Sequence, residues 1–207
     1  LGISHQKTNV GSYLNKALAA LEEANLDTLE DVLKHINFNR KIGQRTLDDD
    51  TLADFIQNFE KIALRDENFE FPDRLGAAYE CLIKFFVVFN DTATTEIYTP
   101  AEVVRALVEI VDPQPGMSVY DPTCGSGGNP RDLALAGQDS IGTTWSICKM
   151  NMLLHGIDHA DIRQEDTLKH PQHKGEDNEL RRFDRVLANP PFSQNYSRKE
   201  MEFPGRF

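Results

Sequence analysis

From Gly11 to about Phe71 the apolar residues recur at three- and four-residue steps, with no strand-like alternation and little glycine or proline. Leu14, Leu18 and Leu21 form one stripe, and Leu29, Val32, Leu33 and Ile36 form a second. This spacing stacks side chains on one face of a helix, so it predicts two amphipathic helices. Asp27 or Thr28 is expected to cap the second through a side-chain oxygen. Leu52, Phe55, Phe59 and Ile62 repeat the pattern behind Asp48–Asp50, whose charges suit the positive end of a helix. A further helix is expected over Pro72–Phe86, with Leu75, Ala78, Leu82 and Phe85 on one side.

Beyond residue 100 the pattern changes. Pro100–Val111 reads as a helix opened by proline, with Glu102 in its first turn and Val103, Val104, Leu107 and Ile110 as its apolar face. Short apolar runs then alternate with turns and one helical segment. Met117–Tyr120, Asp132–Gly137, Ala160–Arg163 and Phe183–Ala188 read as strands, and Ile141–His155 as a helix with Trp145, Cys148, Met152 and Leu153 inward. This is an α/β pattern behind a helical N-terminal region. The organisation expected is a helical region over 1–89, a foreign segment over 90–99 and a partial catalytic domain over 100–207. Asn90–Thr99 reads Asn-Asp-Thr-Ala-Thr-Thr-Glu-Ile-Tyr-Thr, the translation of a widely used sequencing-adapter oligonucleotide. The chain starts at Leu1 and stops at Phe207 just after a Pro-Gly turn, and it reads as a fragment.

Composition narrows the classes. The 207 residues are 40% hydrophobic and 27% charged, ordinary for a protein with a packed core. No apolar run reaches the roughly 20 residues of a membrane helix, and no signal peptide opens the chain. Cys81, Cys124 and Cys148 are scattered without CxxC spacing, and His5 and His35 have no partners at metal spacing. A zinc site and a disulfide framework are therefore not expected, and a reducing cytoplasm is. The net charge of −11 argues against unaided binding to a phosphate backbone.

The candidate chemistry lies at strand ends. Asp121-Pro122-Thr123-Cys124-Gly125-Ser126-Gly127-Gly128 is a glycine-rich loop where open α/β sheets bind ligands. It lacks the Gly-Lys-Ser/Thr ending of a phosphate loop and the GxGxxG of a dinucleotide site. An acidic strand tip repels phosphate but suits an amino group, which fits S-adenosylmethionine. Asp139, at the tip of the second strand, can accept from both ribose hydroxyls. Asp166, after the third, can accept from an adenine amino group. The last strand ends in Asn189-Pro190-Pro191-Phe192. The Asn189 amide oxygen and the Pro190 carbonyl can both accept from one exocyclic NH2, the prolines present carbonyls stiffly, and Phe192 can stack on a base. Cys124 sits in the cofactor loop, not in a Pro-Cys target motif, so a cysteine nucleophile is not expected.

At these residues the chain resembles the adenine-N6 DNA methyltransferases, and most closely the modification subunit of type I restriction–modification systems. The resemblance rests on Tyr98-Thr99-Pro100, Asp121–Gly128, Gly137-Gln138-Asp139 and Asn189-Pro190-Pro191-Phe192, in the family's order. It implies a Rossmann-like methyltransferase fold, S-adenosylmethionine as donor, DNA as substrate, and assembly with a specificity subunit and a restriction subunit. It places cofactor contacts at Pro100, Asp121, Thr123, Cys124, Gly125, Ser126, Gly127, Asp139 and Asp166, and catalysis at Asn189, Pro190, Pro191 and Phe192. Cofactor contacts are also expected at Tyr98 and Thr99, which match the motif by accident of the foreign segment and do not inherit it. The family usually has Gly-Glu-Phe-Tyr-Thr-Pro where Thr95-Glu96-Ile97-Tyr98-Thr99-Pro100 stands here. It also carries a helix of about a dozen residues after Gly128, where Asn129-Pro130-Arg131-Asp132 follows at once. The same NH2-holding tip would serve an RNA base or a protein glutamine amide, and an inactive fragment that only packs against partners is the third alternative.

Overall fold

The computed structural model describes residues 8–41, 46–61, 79, 99, 101–125, 133–190 and 195–206. The chain divides into two compact units, Leu1–Leu75 and Gly76–Phe207. The expected helix over 72–86 and the segment 90–98 lie outside the described residues, apart from Tyr79.

The first unit contains α1 (Val10–Glu23), α2 (Leu26–Leu29) and α3 (Asp49–Glu60). Its buried apolar side chains are Val10, Val32, Leu33 and Leu52. The aspartate run is a capping device. Asp48 caps α3 by accepting from the Thr51 N–H at 2.7 Å. Asp49 reaches across the unit and accepts from the N–H groups of Asn9 and Val10, both at 2.8 Å. It thereby serves donors at the start of α1 that no intrahelical carbonyl can reach.

The second stripe does not become a long helix. α2 stops at Leu29, and Asp31 turns with φ 63°. The cause is Glu22 on α1, whose carboxylate takes the N–H of Asp31 at 2.9 Å and of Leu33 at 2.8 Å. Those donors leave the helical ladder, yet Val32 and Leu33 are still buried. Hydrophobic spacing thus reports burial here, not helix. Asp27 lies inside the first turn of α2, and the N-cap is Asn25, with no side-chain capping bond. Leu21 is exposed, so the α1 stripe is narrower than its spacing suggests.

The second unit is built on a four-stranded parallel sheet in the order β3-β2-β1-β4. Its described elements are α4 (Ala101–Val111), β1 (Ser118–Asp121), β2 (Ala134–Asp139), α5 (Gly142–Leu154), β3 (Asp161–Gln164) and β4 (Arg185–Val186). Short 3-10 turns follow at Arg198–Glu200 and Pro204–Arg206. The core joins Val119, Leu135, Ala136 and Ile162 from the strands to Trp145, Cys148 and Met152 from α5. Trp145 also donates its indole N–H to the Ile162 carbonyl at 2.9 Å. This is the parallel α/β sheet that the pattern of short apolar runs predicts.

Three expectations need correction. On α4, Val103 and Ile110 are exposed, while Val104, Leu107, Val108 and Val111 are partly covered. The last strand shrinks from the expected 183–188 to Arg185–Val186, which among the described residues pairs with β1 alone, and Val186 lies exposed. β2 extends through Gln138 and Asp139, since β3 pairs with it as far as Asp139↔Gln164. β1 and β2 pair in parallel across the short connection 122–133, and its described residues hold no helix.

Asp49→Ala should remove two charge-assisted hydrogen bonds and lower stability by about 1–2 kcal/mol. Asp50→Ala, on the exposed side of the same turn, should change it little. Urea unfolding of both variants checks this, and equal losses would overturn the capping role.

Candidate functional site

β1 is the strand from which the order turns both ways: β2 and β3 lie on one side, β4 on the other. Ligands of open α/β sheets bind at the carboxyl ends beside such a switch point. The register fixes what gathers there. Asp121 pairs with Gly137, so Asp139 sits two residues beyond on the neighbouring strand. On the other side the Leu187 N–H bonds the Tyr120 carbonyl at 3.0 Å, which sets Asn189 at the mouth of the β1–β4 gap. The start of β4 is pinned by Asp184, whose carboxylate accepts from the Ser118 N–H at 2.8 Å and hydroxyl at 2.7 Å.

The loop after β1 folds onto β2. The Cys124 N–H bonds the Gln138 carbonyl at 3.2 Å, and Gly125 takes a left-handed φ of 55°, which glycine adopts without strain. This approach requires Gly137 to lack a side chain: a Cβ there would lie 2.9 Å from Cys124 Cβ and 3.1 Å from its Sγ. Asp121 accepts from the Thr123 N–H at 2.9 Å, and Asp139 accepts from the Ile141 N–H at 2.8 Å and from the Gly125 N–H. Asp166 accepts through one oxygen from the N–H groups of Leu168 at 3.0 Å and Lys169 at 3.2 Å. At the fourth strand end, the Asn189 amide nitrogen donates to the Thr99 hydroxyl at 3.1 Å.

Asp121, Thr123, Cys124, Gly125, Asp139, Asp166, Asn189 and Thr99 thus have described positions in one unit. The Thr99 hydroxyl accepts from Asn189 and keeps its own hydrogen to donate. Tyr98, Pro100, Ser126, Gly127, Pro191 and Phe192 lie outside the described residues, and Pro190 is exposed. Three neighbours that were not among the expected contact residues carry structure. Gly137 admits the loop, and Gln138 is buried at the end of β2. Thr167 donates to the Pro122 carbonyl at 2.6 Å, tying the segment after β3 to the loop after β1. Gly137 and Gln138 were visible in the Gly137-Gln138-Asp139 motif, though not their structural roles, and Thr167 carried no signal.

Electrostatics give the site its character. Burial pushes the Asp121 carboxyl up to about 6, against the two Thr123 hydrogen bonds and with help from Asp139. Asp139 is raised as well, mainly by burial. Among the described residues no cation acts on either carboxylate. Two desolvated acids without a counter-charge suit a cationic ligand. The Cys124 thiol is held well above its ordinary range by its hydrogen bond with Cys148, by burial and by both aspartates. It is a poor nucleophile, because thiolate is the reactive form. The described residues hold no cluster of His, Cys, Asp and Glu that could take a metal ion.

Comparison with known proteins settles the family. The profile of the N-6 DNA methylase family matches residues 70–207. The chain belongs to that family. It is 29% identical over 201 residues to the type I restriction enzyme MjaIX methylase subunit of Methanocaldococcus jannaschii, covering 90% of this chain and 34% of the relative. It is 28% identical over 213 residues to the HindI methylase subunit of Haemophilus influenzae, covering 90% and 44%. The crystal structure of a type I restriction–modification methyltransferase subunit from Streptococcus thermophilus superposes with a TM-score of 0.68 at 26% identity, covering 89% of this chain and 41% of that one. The chain therefore spans between a third and a half of the length of these N-6 DNA methylase relatives.

Asp121→Asn should stabilise the ligand-free chain at pH 8. Below the ordinary carboxyl value of 3.8 both folded and unfolded states are protonated; the burial cost grows between 3.8 and about 6 and is fully present above that. The gain should approach, at most, about 3 kcal/mol at pH 8 and vanish near pH 3. Thermal unfolding against pH measures it, and a variant less stable than the parent at pH 8 would contradict the buried-charge reading.

Proposed function

We propose that this chain is the cofactor-binding and amine-orienting part of a type I modification subunit that methylates adenine N6 in DNA. The observation that carries the reading is the Asn189 amide, fixed by its bond to Thr99 on the strand next to the half-buried Asp121 at one switch point. The catalytic part is read as residues 100–207, behind a helical region over 1–89.

The residues fit S-adenosylmethionine, whose amino acid end carries an ammonium and whose sulfonium supplies the electrophilic methyl group. Asp121, with Thr123, Cys124 and the glycines 125 and 127, would hold the methionine end. Asp139 would accept from the ribose hydroxyls, and Asp166 from the adenine of the cofactor. Asn189 gives one of its two N–H donors to Thr99, which would orient the amide oxygen as the acceptor for a target NH2. Together with the Pro190 carbonyl, that oxygen draws the amine away from conjugation with its ring and leaves the nitrogen lone pair available. Pro191 stiffens the tip, and Phe192 would stack on the base. The target adenine must be flipped out of the duplex, since its N6 is paired inside the helix. Positioning is the main catalytic contribution of these residues, and the raised Cys124 thiol argues against a covalent route.

An acidic chain reaches DNA through partners in this reading: a specificity subunit to read sequence and a restriction subunit completing the complex. The cysteines 124 and 148 are unbridged, as a reducing cytoplasm would keep them. No helix among the described residues is long and apolar enough to cross a membrane.

Asn189→Ala, in the full-length subunit assembled with its specificity partner, should cut methyl transfer on the order of 10²–10³-fold, by analogy with loss of an oxyanion-hole donor. Cofactor affinity should stay near the parent value, because the lost contact forms with the target base. Tritium incorporation into DNA and calorimetric cofactor titration separate the two effects. Methylation at the parent rate would sink the amine-orienting role.

A further inference from the structure

The side chain of Gln138 is fully buried at the carboxyl end of β2 and is used at both ends of its amide. Its nitrogen donates to the carbonyls of Glu165 at 3.0 Å and His170 at 3.1 Å, and its oxygen accepts from the Gln172 N–H at 3.0 Å. The segment 165–172 is therefore closed into a loop by one amide, with Asp166 inside the closure. Besides the Thr167 bond to the Pro122 carbonyl and the His170 N–H bond to the Asp166 carbonyl at 2.8 Å, three contacts brace the same loop. The Glu165 N–H bonds the Asp139 carbonyl at 3.0 Å, Arg163 donates to the Gln172 carbonyl at 2.6 Å, and the buried His173 ring bonds the Gly137 carbonyl at 2.9 Å. The His170 N–H closes a turn onto Asp166, but among the described contacts only the Gln138 amide ties Glu165 to both His170 and Gln172.

We propose that Gln138 is a positioning residue for recognition of the cofactor's adenine: its amide clasps both ends of 165–172 and so aims the Asp166 carboxylate at the ring's 6-amino group. This deepens the reading of the site as an S-adenosylmethionine pocket and rests on it. A carboxylate can accept from a 6-amino group, but it meets the oxygen of a 6-oxo ring as like against like. The clasp should therefore appear as selectivity between the two rings as well as in affinity. An unclasped loop lets Asp166 rotate away, and that selectivity falls.

The test uses the 207-residue chain, with S-adenosylhomocysteine and its deaminated 6-oxo analogue, S-inosylhomocysteine, as probes in calorimetric titration. The parent should prefer the adenine ring by at least tenfold. Gln138→Met keeps the volume and removes all three hydrogen bonds. It should weaken S-adenosylhomocysteine on the order of tenfold and bring the preference close to one. Asp166→Ala leaves the clasp intact and should erase the preference by itself, and the double variant should lose no more than either single change. Hydrogen exchange should show faster amides at 168–172 in Gln138→Met alone. If Gln138→Met retains the parent's ring preference, or if Asp166→Ala does, the positioning role is wrong. Absence of binding by the parent chain would instead overturn the cofactor reading itself, and this inference with it.

Discussion

The ladder around β1 is the constraint on which the site depends. A parallel strand flanked on both sides cannot shift register without moving its neighbours, and a one-residue slip would turn every side chain to the opposite face. β1 is held at its start by Asp184 through Ser118 and at its end by the Tyr120 carbonyl, which accepts from Leu187. Phe183 stacks on Tyr120 at 4.7 Å between ring centroids, so packing repeats the same alignment. Residues 68 apart in sequence, Asp121 and Asn189, are brought to one edge by those few contacts. The loops then need only short excursions to complete the site.

Burial and charge work against each other at that edge. Asp121 and Asp139 lose water without gaining a cation, which raises both, and each also raises the Cys124 thiol. The fold tolerates the strain because backbone N–H groups replace part of the lost hydration, from Thr123 to one acid and from Ile141 to the other. A bound cation would relieve the remainder. The site is thus least stable when empty and ionised, which is how a preorganised receptor for a positive ligand behaves.

Much of this was legible in the chain. The glycine-rich loop after a short strand and the Asn-Pro-Pro-Phe tip mark strand ends, because only there do such residues avoid conflict with a ladder. The order of strands and of α5 followed from the pattern, to within two residues or so for the first three strands. What the pattern could not carry was long-range. Glu22 ends α2 by capturing backbone donors from another helix, and Asp49 caps α1 from 39 residues away. The truncation of β4 depends on which strands are present to pair with it, and the exposed face of α4 on what lies beside it. Gly137 and Gln138 were visible as residues; their roles exist only once the loops after β1 and β3 fold onto β2.

An amide at position 189 also fits the electrostatics better than an acid would. Two carboxylates at the adjacent strand ends already resist ionisation, so a third charge at the β4 tip would raise all three further. Asn189 offers the same acceptor oxygen with no net charge. Its nitrogen, bonded to Thr99, decides which way that oxygen faces, a choice that a symmetric carboxylate cannot encode. In the proposed reading a target amine would thus meet a neutral, oriented acceptor, with the charged groups kept apart at β1 and β2.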